Sequence, residues 1–261
     1  MGKLLKGFTA IIIILTSFFS FFLFAQTHRI VVVYNNLPYK KGLITDWGIS
    51  CVIEGYTYKI LFDTGSDGSI LLQNLKNLGI APEDIKVIFI THLHGDHIGG
   101  LISFLHRNGK VTVYLPAISP PSFVEKVSTL AQKVIKVSGP LKIMDGVWST
   151  GLLGKGIKEQ SLVLDCDRGL VILTGCAHPG IVNIVEYVKN RFHKNIYMLL
   201  GGFHLLSASE REIKEIIFQL KRLGVAKVGP SHCTGDKAIV LFKKKWGDDF
   251  LNFGCGAEIK F

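Results

Sequence analysis

The chain has 261 residues, 48% of them hydrophobic, and a formal net charge of +10. That allows one large domain, or two small ones, with a sizeable core. The basic balance suits an anionic substrate or an anionic membrane surface, but no basic stripe is interleaved with aromatics, so a specific nucleic-acid partner is not expected.

Residues 1–25 stand apart from the rest. Lys3 and Lys6 precede the apolar run from Phe8 to Ala25, and no charge occurs between Lys6 and Arg29. A basic start followed by such a run predicts a signal peptide or an N-terminal membrane anchor. On that reading residues 26–261 form one extracytoplasmic domain, secreted or tied to the membrane by residues 1–25. Leu23 is large for the small residue that cleavage after Ala25 needs. A buried helix of the domain is the competing reading, but a run this uniformly apolar has no polar face for water.

The first half of the remaining chain reads mostly as strands. Residues 29–34, 48–53 and 58–62 are rich in β-branched and aromatic side chains, with Glu54-Gly55 as the turn of a hairpin. The third run ends in Asp63-Thr64-Gly65-Ser66. An acid at a strand end beside a glycine turn either starts an Asx-turn or orients a metal-bound histidine through its far ring nitrogen. Residues 67–78 read as a helix, which Gly79 ends.

Val87-Ile88-Phe89-Ile90 is a short apolar run and predicts a buried strand. Thr91-His92-Leu93-His94-Gly95-Asp96-His97-Ile98-Gly99-Gly100 follows, then a helix over 101–107. Three histidines and an aspartate thus sit on a loop between a strand and a helix. In extended chain His92 and His94 point to one side and could share one metal ion. Asp96 and His97 lie beyond the bend at Gly95 and could hold a second ion. Imidazole and carboxylate ligands suit zinc, manganese or iron. An isolated His-x-His is common, and a histidine-rich surface loop is the bland alternative; the full His-x-His-x-Asp-His in this setting points to metal.

Residues 111–115 predict another strand, Pro120-Pro121 opens a helix over 122–132, and 133–137 a further short strand. The second half repeats the plan of the first. Residues 161–164 and 170–173 form a hairpin around Asp167-Arg168-Gly169. Thr174-Gly175-Cys176-Ala177-His178-Pro179-Gly180 leads into a helix that runs to about Arg191. The strand over 195–200 ends in Gly201-Gly202-Phe203-His204-Leu205. Ser209 and Glu212 form a capping box for a helix reaching Leu223. Residues 225–228 read as the last core strand, before Gly229-Pro230-Ser231-His232-Cys233-Thr234-Gly235. Three strands therefore end in glycine-containing loops that carry a histidine. Each could be an ordinary hydrogen-bonded residue, but loops at equivalent strand ends meet at one sheet edge. His178 and His232 are candidate ligands, and His204 a candidate acid–base or substrate-contact residue. His28, His106 and His193 read as surface.

Cys51, Cys166, Cys176, Cys233 and Cys255 include no Cys-x-x-Cys pair, and an odd count argues against a disulfide framework. Cys51 lies in an apolar strand and reads as a small buried hydrophobe.

The stretch from Thr91 to Gly100 resembles the signature of the metallo-β-lactamase superfamily, and the resemblance runs from about residue 30 to the C-terminus. It implies an α/β fold, a four-layer αββα sandwich, with one or two divalent transition metal ions at one edge: zinc first, with manganese or iron as alternatives. It also favours the supporting role for Asp63. Gly175-Cys176-Ala177-His178-Pro179-Gly180, Gly201-Gly202-Phe203-His204-Leu205 and Ser231-His232-Cys233-Thr234-Gly235 are similar to a branch that includes a dihydropterin-ribofuranosylaminobenzene-phosphate synthase. Carried over, His92, His94 and His178 would hold one ion, and Asp96, His97 and His232 the other. Much of the superfamily has a bridging aspartate after Thr-Gly; this chain has Cys176, which would bridge as a thiolate or leave the bridge out. The implied activity is metal-dependent hydrolysis of a small, phosphate-ester-like substrate, with Asp96 and His204 as catalytic groups. A synthase-like transferase and a metal-binding protein without turnover are the alternatives.

Overall fold

Side-chain alternation along the strands decides how the layers stack. The structure, a computed structural model, describes residues 27–261. In β1 (Arg29–Asn35), Ile30 and Val32 join one buried cluster, while Val31 and Val33 join another. This strand thus carries two apolar faces and demands cover on both.

β2 (Ile49–Glu54) and β3 (Lys59–Phe62) continue from β1 as antiparallel neighbours. Helix α1 (Gly68–Asn77) follows, with Asp67 capping the backbone N–H groups of Ser69 and Ile70. Next come β4 (Ile85–Phe89), the single turn α2 (Gly95–Ile98), α3 (Leu101–Arg107), β5 (Thr112–Pro116), α4 (Pro121–Ser128) and β6 (Lys133–Val137). β3, β4, β5 and β6 are parallel.

The second half supplies β7 (Leu141–Met144), β8 (Val147–Ser149), β9 (Leu162–Cys166), β10 (Gly169–Thr174), α5 (Ile181–Phe192), β11 (Ile196–Gly202), α6 (Glu210–Arg222), β12 (Lys227–Ser231) and α7 (Asp236–Trp246). β10, β11 and β12 are parallel. The chain then returns to the first sheet, where β13 (Glu258–Lys260) pairs with β1. The two sheets run β13-β1-β2-β3-β4-β5-β6 and β12-β11-β10-β9-β8-β7.

Between the sheets, Val32, Cys51, Ile60 and Phe62 meet Leu162, Leu164, Val171 and Leu173. The outer face of the first sheet packs on Leu71 and Leu75 of α1 and Leu101 and Phe104 of α3. That of the second packs on Val185 and Val188 of α5, Ile213 and Ile217 of α6, and Phe242 of α7. The result is the expected αββα sandwich.

Several local features differ from the expectations. α4 stops at Ser128, because the chain turns at 129–132 into β6. The β7–β8 hairpin and β13 are three or four residues long, too short for a period-two pattern to register. α7 is a further helix beyond those expected, although Ala238, Phe242 and Trp246 recur at four-residue spacing on its buried face. His28 is half-buried rather than on the surface, because Tyr56 of the β2–β3 turn stacks on its ring at 4.2 Å. The segment expected to be a signal peptide or anchor, residues 1–25, lies outside the described residues. Among the described residues no helix is long and apolar enough to cross a membrane. The five cysteines are free thiols, with Cys51 fully buried between the sheets.

Candidate metal centre

The loops that follow β3, β4, β10, β11 and β12 meet at one edge of the sandwich. After β4 the chain stays extended through Thr91–His94, so His92 and His94 turn the same way, and His92 Nε2 lies 3.1 Å from His94 Nδ1. The turn at α2 then swings Asp96 and His97 to an adjacent position. This requires α2 to press against the loop after β3. A Cβ on Gly99 would stand 2.1 Å from the Ser66 carbonyl oxygen, so only glycine permits the approach.

Asp63 sits at the end of β3, fully buried, at φ 47°. Its Oδ1 accepts from Thr91 N at 2.8 Å, and its Oδ2 accepts from Thr91 Oγ1 and His97 Nδ1, both at 2.7 Å. With Nδ1–H donating to Asp63, His97 turns Nε2 toward Cys176 Sγ at 3.2 Å and Asp96 Oδ2 at 3.6 Å. Burial works against protonation of His97, but the Asp63 and Asp96 charges prevail and raise its pKa.

The loop after β10 carries Cys176 and His178. Glu159, fully buried, organises it: Oε1 accepts from the backbone N–H of Gly175, Cys176 and Ala177, each at 3.0 Å, and Oε2 from His178 N at 2.9 Å. Four successive N–H groups on one carboxylate form an anion nest filled by the protein itself. Burial nevertheless pushes the Glu159 pKa up. His232, after β12, is fixed through Nδ1, 3.1 Å from Asn36 Oδ1, and Trp47 lies over its ring at 4.8 Å.

Of the sets of ligand-type atoms drawn together to within 4.8 Å, two hold the histidines expected as ligands: His92, His94 and His178; and Asp96, His97, Cys176 and His232. His178 Nε2 and His232 Nε2 are buried and have no hydrogen-bond partner. His232 Nε2 does lie 3.1 Å from Asp96 Oδ2, a close contact without hydrogen-bond geometry. Unpartnered buried ring nitrogens that face other donors suit a cation, because neutral imidazole offers a lone pair. Burial, then the neighbouring His204 and His94 rings, lowers the His178 pKa to about 4, so it is neutral at pH 7. His92 is lowered further, chiefly by burial. For Asp96, burial is outweighed by its contact with His232 and the His97 charge, and the carboxylate stays ionised. Two imidazole sets with a thiol and a carboxylate fit one or two divalent transition ions.

His204 stands at the mouth, its ring 4.4 Å from that of His178 and against the thiol of Cys233. Contact with Cys233 raises its pKa. Asp63, Ala177, His204 and His232 are four of the five non-glycine residues with positive φ among the described residues. Strained backbone of this kind collects where function fixes geometry.

The structure therefore brings together His92, His94, Asp96, His97, Cys176, His178 and His232, with Asp63 bonded to His97 and His204 at the rim. Cys51 and Cys255 lie elsewhere. Glu159, Asn36, Trp47 and Cys233 also belong here and were not among the residues singled out from the sequence. Cys233 had a signal, being next to His232. Glu159 had none, since Lys158-Glu159-Gln160 reads as an ordinary polar loop.

The profile of the Metallo-beta-lactamase superfamily matches residues 49–232. The chain belongs to this superfamily. It is 30% identical to the 7,8-dihydropterin-6-methyl-4-(β-D-ribofuranosyl)-aminobenzene-5′-phosphate synthase of Methanocaldococcus jannaschii, across 85% of this chain and 92% of that one. Among solved structures it resembles Tm1679, described as a metal-dependent hydrolase of the β-lactamase superfamily, with a TM-score of 0.76 and 27% identity, covering 90% of this chain and 99% of that one. The fold is shared with YhfI of Bacillus subtilis at a TM-score of 0.66 and 13% identity, covering 90% and 100%.

Glu159→Gln keeps an acceptor for three N–H groups but turns an amide donor toward His178 N. The expected loss of stability is about 1–3 kcal/mol, the cost of an unmatched buried group. Chemical denaturation of the metal-free protein measures it; an unchanged midpoint would show that the nest carries no load.

Proposed function

We propose that the protein is a metal-dependent hydrolase acting on a small anionic substrate of the phosphate-ester kind. The observation that carries this reading is the pair of buried, unpartnered ring nitrogens on His178 and His232, each within one of two converging ligand sets. His92, His94 and His178 would hold one ion, and Asp96, His97, His232 and Cys176 the other. Thiolate beside imidazole favours zinc or iron over manganese. When bound, such ions polarise a phosphoryl or carbonyl oxygen and activate water.

The chain's own residues do the rest. Asp96 stays ionised and accepts a hydrogen bond from the attacking water, fixing its direction. Asp63 and Asn36 hold His97 and His232 in the tautomer that presents Nε2. His204, exposed and with its pKa raised, donates a proton to the leaving group. The net charge of +10 draws an anionic substrate toward the protein. The 27% identity to Tm1679, described as a hydrolase, supports this class.

A second reading, a synthase-like transferase on the same site, is favoured by the 30% identity to the M. jannaschii synthase. Assay of zinc-loaded protein against phosphate mono- and diesters, beside a pterin-coupling assay, separates the two. Turnover in neither would favour a binding protein.

Purified protein is expected to hold up to two transition ions per chain, and His94→Ala measurably fewer by elemental analysis. Equal content in both proteins would remove His94 from the ligand set. We further propose that residues 1–25 carry the domain to or across a membrane. A chain begun at Gln26 is then expected to fold and to bind metal normally; aggregation or loss of metal would make the segment part of the fold.

A further inference from the structure

Cys233 is a ligand-type group at the centre that belongs to neither of the two ion sets. It is 5% exposed and Cys176 3%, and the two sulfurs lie within 4.8 Å of each other. Cys233 Sγ lies 3.7 Å from the Cys176 carbonyl oxygen, a weak contact for a buried thiol. The ring of His204 closes the group: its ligand nitrogen and the two sulfurs all lie within 4.8 Å of one another. Three features hold them there. Ala177 and His204 adopt positive φ, which fixes the backbone beside Cys176 and at His204. Leu205 N–H donates to the Cys233 carbonyl at 3.2 Å, tying the loop after β11 to the loop after β12. A Cβ on Gly202 would stand 2.8 Å from Cys233 Sγ, so Gly202 leaves the room that the sulfur occupies.

We propose that Cys176, Cys233 and His204 form a third, sulfur-rich cation site for a soft ion such as zinc, cadmium or copper(I). Zinc with Zn–S bonds of about 2.3 Å sets tetrahedral sulfur ligands about 3.8 Å apart, a spacing within the 4.8 Å span of this cluster. Two thiolates and one imidazole select soft cations over magnesium, calcium or manganese. On binding, Cys233 releases its proton to solvent, and its sulfur binds the ion together with the sulfur of Cys176, already a thiolate on the neighbouring ion; no redox change is involved. Cys176 is common to this set and to the set of Asp96, His97 and His232, so a bridging thiolate links them. Its effect rests on the hydrolase reading in one respect: His204 ligated here no longer serves as the proton donor of that reaction. Occupation in excess metal is therefore inhibitory, which makes the site a brake on the hydrolase.

The test is a titration of reduced, metal-free protein with cadmium, followed by the sulfur-to-cadmium charge-transfer absorption and by equilibrium dialysis. Wild type is expected to bind three equivalents, with a further rise in absorption at the third. Cys233→Ser and His204→Ala are each expected to stop at two; His204 is exposed, so its variant is a safeguard if Cys233→Ser folds poorly. Cys51→Ser, remote from the site, is expected to match wild type. A wild-type titration that ends at two equivalents and superimposes on both variants overturns the third site and leaves the two-ion reading standing. A His94→Ala protein that loses one equivalent but keeps the rise due to Cys233 supports the third site independently of the first.

Discussion

Two buried carboxylates hold the centre in shape. Asp63 ties the end of β3 to the start of the loop after β4 through Thr91 and His97. Glu159 gathers the loop after β10 through four backbone N–H groups. Each sits in one half of the sandwich, and each spends its hydrogen-bonding capacity on protein rather than solvent. Burying a carboxylate is unfavourable unless several donors meet it, and here they do. The consequence is positional: histidines on separate loops present chosen nitrogens to one small volume, with little freedom to turn away.

That arrangement explains why the ligand-type groups tolerate one another. His92, His97 and His178 would repel if all were protonated, and burial already keeps His92 and His178 neutral. His97 is the exception, because Asp63 and Asp96 face it. A divalent cation beside Nε2 reverses that preference, since the positive charge disfavours a second one on the ring. The site is thus poised for cations by its own electrostatics: anionic groups behind the imidazoles, and neutral lone pairs in front.

Much of this was legible in the residues. The β-branched and aromatic runs at 29–34, 48–53 and 58–62 lie at β1, β2 and β3, and the capping box at Ser209 and Glu212 starts α6. The histidines were legible because each follows an apolar strand with a glycine nearby. The supporting groups were harder to read. Asp63 stood at a recognisable strand end, whereas Glu159 acts on backbone atoms 16 to 19 positions away, a relation no local pattern encodes. Asn36 meets His232 across 196 residues. Cys233 was visible beside His232, but its partner His204 comes from another loop, so their meeting depends on β11 and β12 being parallel neighbours. Short strands such as β13 are fixed by tertiary pairing rather than by propensity.

The central claim is that two adjacent ligand sets each take one transition ion. Diffraction from crystals of protein loaded with two equivalents of zinc, collected on both sides of the zinc absorption edge, tests it directly. The account predicts two anomalous peaks about 3.5–4 Å apart, one among His92, His94 and His178, the other among Asp96, His97, Cys176 and His232. Absence of a peak at either set, or peaks only at surface histidines such as His106 and His193, would contradict it.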